Sequence, residues 1–363
     1  MHKKIMTALF CLVLLGCSIW GIAAPDRLYS ENEKRMLAKF PSMAIERILS
    51  GKFSSEIEKY MADQFPERDG WVTVKTIKEY ALGKRDSGGV YFAKDGYLIE
   101  VVSEFDNDNL EKLCSYFKGI EETLSGRGIP MRLMLVPTAG EVLSDKLPKF
   151  APMASQEEVL DYMKDKGFTL VDVTPILTDH SSEYIYYKTD HHWTSLGAYY
   201  AYAEYMKAIG RTPHALNEYT KEVLSEDFRG TTFNKVNYPF APYDVIDAYY
   251  ISDNHNVYYN DSTDCDNTMY TRSFLKSADK YAVFLNSNQA STKIEGSGEG
   301  RILIIKDSYA NCFAQFLPED YEEVHMIDLR FFTGDLQEYI DNNAITEVLV
   351  LYNIPNFAET KLK

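Results

Sequence analysis

The chain changes from an apolar strand to a helix at Ile302-Leu303-Ile304-Ile305-Lys306-Asp307-Ser308-Tyr309. Four consecutive apolar residues predict a strand that is buried on both faces, as in a parallel sheet covered by helices. Ligands bind such sheets outside the carboxyl ends of the strands, where the free N–H groups of a following helix can hold an oxyanion. Ser308 is therefore a candidate nucleophile, with the alternative that Asp307 or Ser308 only caps the helix.

Strands and helices alternate on both sides of this unit. Apolar strands are predicted at residues 131–136, 169–173, 281–285, 301–305 and 347–352, and a hairpin is predicted around Asp95-Gly96. Helices are predicted at residues 109–124, around 159–163, at 309–316, at 335–342, and from an N-cap at Thr194 or Ser195 to about Gly210. This order predicts an α/β fold with right-handed crossovers, in which helices cover both faces of a parallel sheet.

The rest of the sequence divides into a leader, a helical region and an insertion. A basic start precedes an apolar stretch, so residues 1–24 predict an export signal: a cleaved signal peptide, a membrane anchor or, at Leu14-Leu15-Gly16-Cys17, a lipoprotein box. Each alternative places the following residues outside the cytoplasmic membrane. Residues 25–85 predict an N-terminal helical region, with a charged connector at 30–42 and helices at 53–60 and 71–82. Residues 86–363 predict the α/β domain, with a β-rich hairpin insertion at about 217–280.

Composition limits the classes of partner. The chain of 363 residues has a formal net charge of −16 and 45% hydrophobic residues, which is typical of a globular protein. Nucleic acid is not an expected partner, because its phosphates require clustered Lys and Arg. Two of the five cysteines lie in the leader, and Cys114, Cys265 and Cys312 show neither a disulfide framework nor metal-ligand spacing.

The densest group of proton-exchanging side chains lies at residues 186–195, Tyr-Tyr-Lys-Thr-Asp-His-His-Trp-Thr-Ser. Alternate side chains of an extended segment share a side, so Asp190 and His192 are expected together and His191 on the opposite side. Asp190 would orient the His192 imidazole, an arrangement suited to a general base near neutral pH. An extended run cannot aim both histidines at one ion, so no metal site is predicted. The alternative is a buried structural cluster in which these groups satisfy one another.

Several separated motifs resemble the bacterial DHHW family over essentially the whole exported chain. They are Phe40-Pro41, Gln-Phe-Pro-Glu-Arg-Asp at 64–69, Thr-Asp-His-His-Trp-Thr at 189–194, Asp-Lys-Tyr-Ala-Val-Phe-Leu at 279–285, Ile-Lys-Asp-Ser-Tyr at 305–309 and Asp-Leu-Arg at 328–330. That family is similar to the SGNH-hydrolase-like enzymes that O-acetylate alginate. The resemblance implies a flavodoxin-like (SGNH-hydrolase-like) fold and a triad of Ser308, His192 and Asp190. The alginate enzymes carry Gly-Asp-Ser where this chain has Lys306-Asp307-Ser308, and ordinary SGNH hydrolases place Asp-x-x-His after their serine.

The resemblance implies an extracytoplasmic, serine-dependent O-acyl transferase that moves acetyl groups to a cell-surface or secreted polysaccharide, without a bound cofactor. Asn288 would be an oxyanion donor or a turn residue, and Arg330 would bind a substrate carboxylate or pair with Asp328. A polytopic membrane-bound O-acyltransferase is the expected supplier of acetyl groups. The alternatives are a carbohydrate acetylesterase with the same triad and a non-catalytic polysaccharide-binding or assembly protein.

Overall fold

The structure, a computed structural model, describes residues 2–30 and 35–361. Two compact units are formed, one by Met1–Gly88 with Asn234–Phe240 and the other by Gly89–Phe233 with Ala241–Lys363. Residues 31–34, which belong to the predicted charged connector, lie outside the described part of the chain.

The first unit is mainly helical. Its elements are α1 His2–Ala23, β1 Tyr29–Ser30, β2 Arg35–Met36, α2 Ile45–Leu49, α3 Lys52–Asp63, α4 Arg68–Ala81 and β3 Asp86–Ser87. The helices predicted at 53–60 and 71–82 are confirmed as α3 and α4. Gln64 follows α3 and binds the backbone N–H and carbonyl of Arg27, which ties the segment after α1 to the end of α3. Within residues 2–30 and 35–361, no helix is both long and apolar enough to cross a membrane.

The second unit alternates strands and helices. In chain order, the elements from residue 89 onward are β4 Val90–Phe92, β5 Leu98–Glu100, α5 Asn107–Ser125, β6 Met131–Val136, α6 Ala139–Val142, α7 Glu157–Asp165, α8 Thr174–Asp179, α9 Ser195–Ala208, β7 Thr220–Phe228, α10 Thr231–Val236, β8 Asp244–Tyr250, β9 Val257–Tyr259, β10 Cys265–Asp266, β11 Ser291–Glu295, β12 Arg301–Lys306, α11 Tyr309–Phe313, β13 Glu323–Ile327, α12 Leu336–Asn342, β14 Glu347–Asn353 and α13 Ile354–Glu359. Local signals explain several of these bounds. Asp106 caps α5 by accepting the N–H of Asn109, and Thr194 caps α9 by accepting the N–H of Gly197.

The main sheet is mixed rather than parallel. Its strand order is β10-β9-β11-β13-β12-β14-β6, in which β13, β12, β14 and β6 run parallel and the pairs from β13 to β10 are antiparallel. A mixed α/β fold with a multi-stranded sheet is therefore confirmed, and the predicted fully parallel sheet is corrected. The last strand, β14, lies between β12 and β6, so the order also differs from that of flavodoxin-like sheets. β9 and β10 lie within residues 217–280 and extend the sheet on its antiparallel side.

Two predicted strands do not form. Residues 169–173 contribute a single parallel bridge, between Leu170 and Leu133. Lys280–Val283 is a 3-10 helix, and the three consecutive residues 285–287 adopt positive φ angles, which an extended strand excludes. The run at 281–285 is fully buried, and burial alone does not distinguish a strand from a compact turn.

Alternation along β12 divides the core into two layers. Ile302 and Ile304 face the layer that contains α9, whereas Leu303 and Ile305 face the layer that contains α5 and α13. All four side chains are fully buried, so both faces of the sheet are covered. The carboxyl end of β12 is thus held between two packed layers, and the turn that follows it has a fixed position.

Candidate active site

Ser308 lies at the turn between β12 and α11, with 9% of its surface exposed. Its side chain does not cap α11, because Asp307 Oδ1 accepts the N–H of Tyr309 at 2.9 Å. Ser308 Oγ lies 2.7 Å from Nε2 of His192. The capping alternative therefore applies to Asp307, and the serine hydroxyl is left to interact with an imidazole.

His192 joins Ser308 to Asp190. Its Nδ1 lies 2.5 Å from Oδ1 of Asp190, and its backbone N–H donates to the same oxygen at 3.0 Å. Because a carboxylate only accepts hydrogen bonds, we assign the proton to Nδ1, and Nε2 presents a lone pair to the serine hydroxyl. The three residues that the sequence singled out are hydrogen-bonded in series, and all three are buried. This arrangement can take a proton from the serine and return it.

The prediction that His191 lies opposite His192 is wrong. Residues 188–192 form consecutive bends rather than an extended strand, so side-chain alternation does not apply. The two imidazole centroids are 3.9 Å apart, and His191 Nδ1 lies 3.7 Å from Asp190 Oδ1 and 2.5 Å from Thr231 Oγ1. Asp190 therefore has both histidines beside it.

The same correction removes the geometric argument against a metal ion. Ligand atoms of Asp190, His191 and His192 lie within 4.8 Å of one another. Both ring nitrogens of His192 have protein partners, Asp190 and Ser308, so coordination by His192 would break one of these hydrogen bonds. That the site works without a metal stays a prediction, and elemental analysis of the purified protein tests it.

Thr231 binds the Asp190 carboxylate and Gly230 leaves space for it, and the sequence had not singled out either residue. The N–H and the hydroxyl of Thr231 donate to Asp190 Oδ2 at 2.7 and 3.0 Å. A Cβ added to Gly230 would lie 2.1 Å from the same oxygen, so the carboxylate occupies the space that any other side chain needs. No local pattern marks this pair, because its role depends on contacts between residues 41 positions apart.

Tyr281 fixes the plane of the His192 ring. The two rings stack with centroids 3.8 Å apart and an interplanar angle of 13°. The Tyr281 hydroxyl donates to the backbone carbonyl of Ser308 at 3.1 Å, and burial raises the pKa of Tyr281 well above its ordinary value, so the hydroxyl stays a donor. Tyr281 was quoted within a family motif but was interpreted as part of a strand, and its contact with His192 was missed.

Asp307 anchors the serine turn to neighbouring elements. Its Oδ2 accepts the N–H of Asn353 at 3.0 Å, at the end of β14, and the side-chain amide of Asn356 at 2.8 Å, in α13. Burial raises the pKa of the Asp307 carboxyl, which these hydrogen bonds oppose. Ser308 is thereby fixed on one side by the end of β14 and on the other by Tyr281.

Lys306 is buried directly before Asp307, with 2% of its surface exposed. Its ammonium donates to Oδ1 of Asn311 at 2.7 Å and to Oδ1 of Asn288 at 3.2 Å. Asn288 therefore turns its oxygen toward Lys306, and its side-chain nitrogen donates to no acceptor among the described residues. The predicted oxyanion donor thus has a free N–H group, held in a network that includes the lysine.

Arg330 pairs with Asp328, one of the two alternatives that the sequence left open. Its Nε and Nη2 donate to the two carboxylate oxygens at 2.8 and 2.5 Å. This hydrogen bonding raises the pKa of Arg330 above its ordinary value. The Asp328 side chain is fully buried, whereas 40% of the Arg330 side chain is exposed. The buried carboxylate therefore holds the orientation of a partly exposed guanidinium.

These features define a class: a mixed α/β protein in which a serine at a strand-to-helix turn is hydrogen-bonded in series to a histidine and an aspartate. The particular family follows from the sequence. Residues 86–327 match the profile described as DHHW protein, and the chain belongs to the DHHW family. The family predicted from the separated motifs is confirmed.

The chain is also similar to individual known proteins. The probable alginate O-acetylase AlgJ of Azotobacter vinelandii is 22% identical over 228 residues, which are 59% of this chain and 55% of that protein. The chain spans about half the length of the curated relatives it matches. A DHHW family protein from Eubacterium siraeum is 26% identical, with a TM-score of 0.65 over 76% of this chain and 97% of that one. Bacillus cereus PatB1, solved with a sulfonyl adduct, is 19% identical, has a TM-score of 0.62 over 74% and 97% of the two chains, and shares the fold.

Proposed function

We propose that this protein is an extracytoplasmic O-acetyltransferase that uses Ser308 to move an acetyl group onto a polysaccharide hydroxyl. The observation that carries the proposal is the series Asp190, His192 and Ser308, joined at 2.5 and 2.7 Å. Membership in the DHHW family and similarity to probable alginate O-acetylases support the reaction class. The sugar acceptor is proposed only as a class, because the relatives are distant and longer.

Acylation of the serine is the first half of the reaction. Ser308 Oγ attacks the carbonyl carbon of an activated acetyl ester, and His192 Nε2 takes the hydroxyl proton. The tetrahedral intermediate then breaks the bond to the leaving oxygen, which receives the proton from His192. Asp190 keeps Nδ1 of the ring protonated and stabilises the imidazolium. Ser308 is left as an acetyl ester.

Transfer to the acceptor reverses these roles. His192 Nε2 takes the proton of a sugar hydroxyl, whose oxygen attacks the acetyl carbonyl on Ser308. The second tetrahedral intermediate breaks the bond to Ser308 Oγ, and His192 returns the proton to that oxygen. The product is an O-acetylated sugar, and the enzyme is regenerated without a net gain or loss of protons.

Two N–H groups are proposed to bind the oxyanion of both intermediates. The backbone N–H of Ser308 has no acceptor within the described chain, although the residue is buried. A buried donor without a partner costs free energy, which a transition-state oxyanion would recover. The side-chain nitrogen of Asn288 is the second donor, since its oxygen is engaged by Lys306.

An acetyl-enzyme trap tests the serine mechanism directly. When the protein is incubated with p-nitrophenyl acetate, we expect an acetyl group on the peptide that contains Ser308, measured by mass spectrometry after acid quenching. The acetyl ester should persist because no polysaccharide acceptor is supplied. An unmodified Ser308 in folded protein with His192 intact would contradict the proposal.

A transferase and an acetylesterase differ in whether the acetyl group on Ser308 passes to a sugar or to water, because both acceptors compete for the same acetyl-Ser308. Raising the concentration of oligosaccharide is expected to increase acetylated sugar and to lower the acetate released per ester consumed. Both products are measured in one reaction by chromatography. Acetate release that is independent of acceptor, with no acetylated sugar, would identify an esterase.

Location and acetyl supply follow from the proposed domain organisation. We propose that residues 1–24 are the export signal or anchor, that 25–85 form the helical region, and that 86–363 form the catalytic domain with its insertion at about 217–280. Outside the cytoplasmic membrane there is no pool of acetyl-coenzyme A, so a polytopic membrane-bound O-acyltransferase is the proposed supplier. Cell fractionation and co-purification from detergent test this partner, and a secreted product that acetylates fully without any membrane protein would exclude it.

A further inference from the structure

Lys306 lies two residues before Ser308, and its side chain is buried. A buried ammonium is costly unless it is paired or hydrogen-bonded. The hydrogen-bond acceptors of Lys306 are two neutral amide oxygens, on Asn311 and Asn288. Burial lowers the pKa of Lys306 to about 8. A costly group beside the candidate nucleophile calls for a functional explanation.

The three side chains form a closed triangle of hydrogen bonds. Lys306 Nζ donates to both asparagines, and Asn311 Nδ2 also donates to Asn288 Oδ1 at 3.2 Å. Two donors therefore meet on the single side-chain oxygen of Asn288. Because an amide has its nitrogen and oxygen on opposite sides of one carbon, this arrangement fixes where the Asn288 N–H groups point. Lys306 and Asn311 lie on either side of Ser308 in the chain, so the triangle is built on the turn that carries the serine.

The loop that carries Asn288 does not fix this orientation by regular structure. The preceding residues Leu285, Asn286 and Ser287 have φ angles of 54°, 53° and 69°. Non-glycine residues in this region cost free energy and persist where their surroundings hold them. Without the two donors on its oxygen, the Asn288 amide is able to rotate and present oxygen where nitrogen had been. A carbonyl oxygen at that position would repel an oxyanion.

We propose that Lys306 is a positioning residue that holds the Asn288 amide with its N–H toward the oxyanion of acetyl transfer. The inference rests on the proposed function, because it requires an oxyanion at Ser308. Lys306 acts through Asn288 and does not itself contact the reacting atoms. The charged groups that act electrostatically on the ammonium are Asp328 and Arg330 after β13 and Asp307 after β12: the two carboxylates favour the charged form and the guanidinium opposes it.

A double-mutant cycle tests whether Lys306 acts through Asn288. Lys306→Met removes the ammonium and keeps the apolar stem, and Asn288→Ala removes the amide. We expect each single variant to lower kcat by about tenfold to a hundredfold with little change in KM, since an oxyanion donor acts in the transition state. In the Asn288→Ala background, Lys306→Met should have almost no further effect. The inference would be overturned if the kcat losses of the two single variants multiplied in the double variant, or if Lys306→Met kept full kcat.

The double-mutant cycle needs a control variant and a replacement in case Lys306→Met does not fold. Lys293→Met removes a partly exposed lysine of β11 that pairs with Glu295 and Glu323, and it should leave kcat unchanged. If Lys306→Met does not fold, Asn311→Ala replaces it, because Asn311 binds the same oxygen of Asn288. Acetylation of Ser308 in the parent protein is measured in parallel. Its absence would reject the proposed function and the inference with it, whereas acetylation with a multiplicative cycle would reject the inference alone.

The pH dependence gives a second readout, in which activity and stability should change in opposite directions. Loss of the ammonium proton weakens the hold on Asn288, so kcat of the parent should fall as pH rises through about 8. The folded-state pKa lies below the ordinary 10.5, so the unfolded chain binds more protons between these values. Because the unfolded state holds this proton and the folded state has lost it, the free energy of unfolding rises with pH across that window. Lys306→Met should lack both changes, and an unaltered alkaline limb in this variant would contradict the proposal.

Discussion

Ser308→Ala is expected to lower acetyl transfer by at least about a thousandfold, to the level that binding and the oxyanion donors sustain without a nucleophile. The substitution removes the oxygen that lies 2.7 Å from His192 Nε2, and no acetyl-enzyme can then form. The fold should persist, because Ser308 Oγ does not cap α11 and the loss of one oxygen leaves the packing of β12 unchanged. Acetylated oligosaccharide and the acetylated peptide are the two measurements.

The control for this substitution is Ser115→Ala. Ser115 lies on the exposed side of α5, where its hydroxyl donates to the carbonyl of Glu111 within the same helix. We expect this variant to retain full activity and a melting temperature close to that of the parent. If Ser308→Ala keeps acetyl transfer within tenfold of the parent, the acetyl group does not pass through Ser308, and the proposed serine mechanism is wrong.

Gly230→Ala is expected to have the second largest effect, although Gly230 takes no part in the chemistry. The added Cβ would lie 2.1 Å from Oδ2, 2.2 Å from Cβ and 2.5 Å from Cγ of Asp190, so either the carboxylate or residues 230–231 must move. Displacing Asp190 by an ångström misaligns the His192 ring, which costs about a hundredfold in kcat or more. The overpacking itself costs about 1–3 kcal/mol of unfolding free energy.

Gly119→Ala is the matched control. Gly119 lies within α5, and a Cβ added there meets nothing within 4 Å outside its own helix. Alanine should therefore stabilise the helix by about 0.5–1 kcal/mol and leave kcat unchanged. Chemical denaturation and steady-state kinetics on both variants separate the steric effect at Gly230 from the general effect of the exchange. Full activity in Gly230→Ala would show that Asp190 does not need its present position.

The structure offers an explanation for the lysine near Ser308 that the sequence alone did not provide. In the sequence, a cation next to the serine favoured an inactive relic as one alternative. In the structure, the ammonium faces away from solvent and binds Asn288 and Asn311. A relic predicts no acetylation of Ser308 in the parent protein, whereas the positioning role predicts an active parent whose kcat falls in Lys306→Met.

The sequence by itself determined those features that depend on neighbours within a few positions. The periodicity of 109–124 predicted α5, the apolar runs predicted β6, β12 and β14, and an N-cap at Thr194 or Ser195 predicted the start of α9. The separated family motifs also predicted His192 and Asp190 as the partners of Ser308, although the side-chain alternation that first favoured His192 does not occur. Hydrophobic periodicity and helix capping depend on residues that are close in sequence, so they can be recognised before the fold is known.

Tertiary structure alone decided the rest, because the deciding contacts join distant residues. His191 turns toward His192 since the segment bends instead of extending, and no period encodes a bend. Thr231 donates to Asp190 from 41 positions away, and Tyr281 stacks on His192. Both contacts arise only when separate elements pack together. The mixed strand order likewise depends on which edges remain free for β11 and β9 to pair, a choice made by packing and not by any single stretch of sequence.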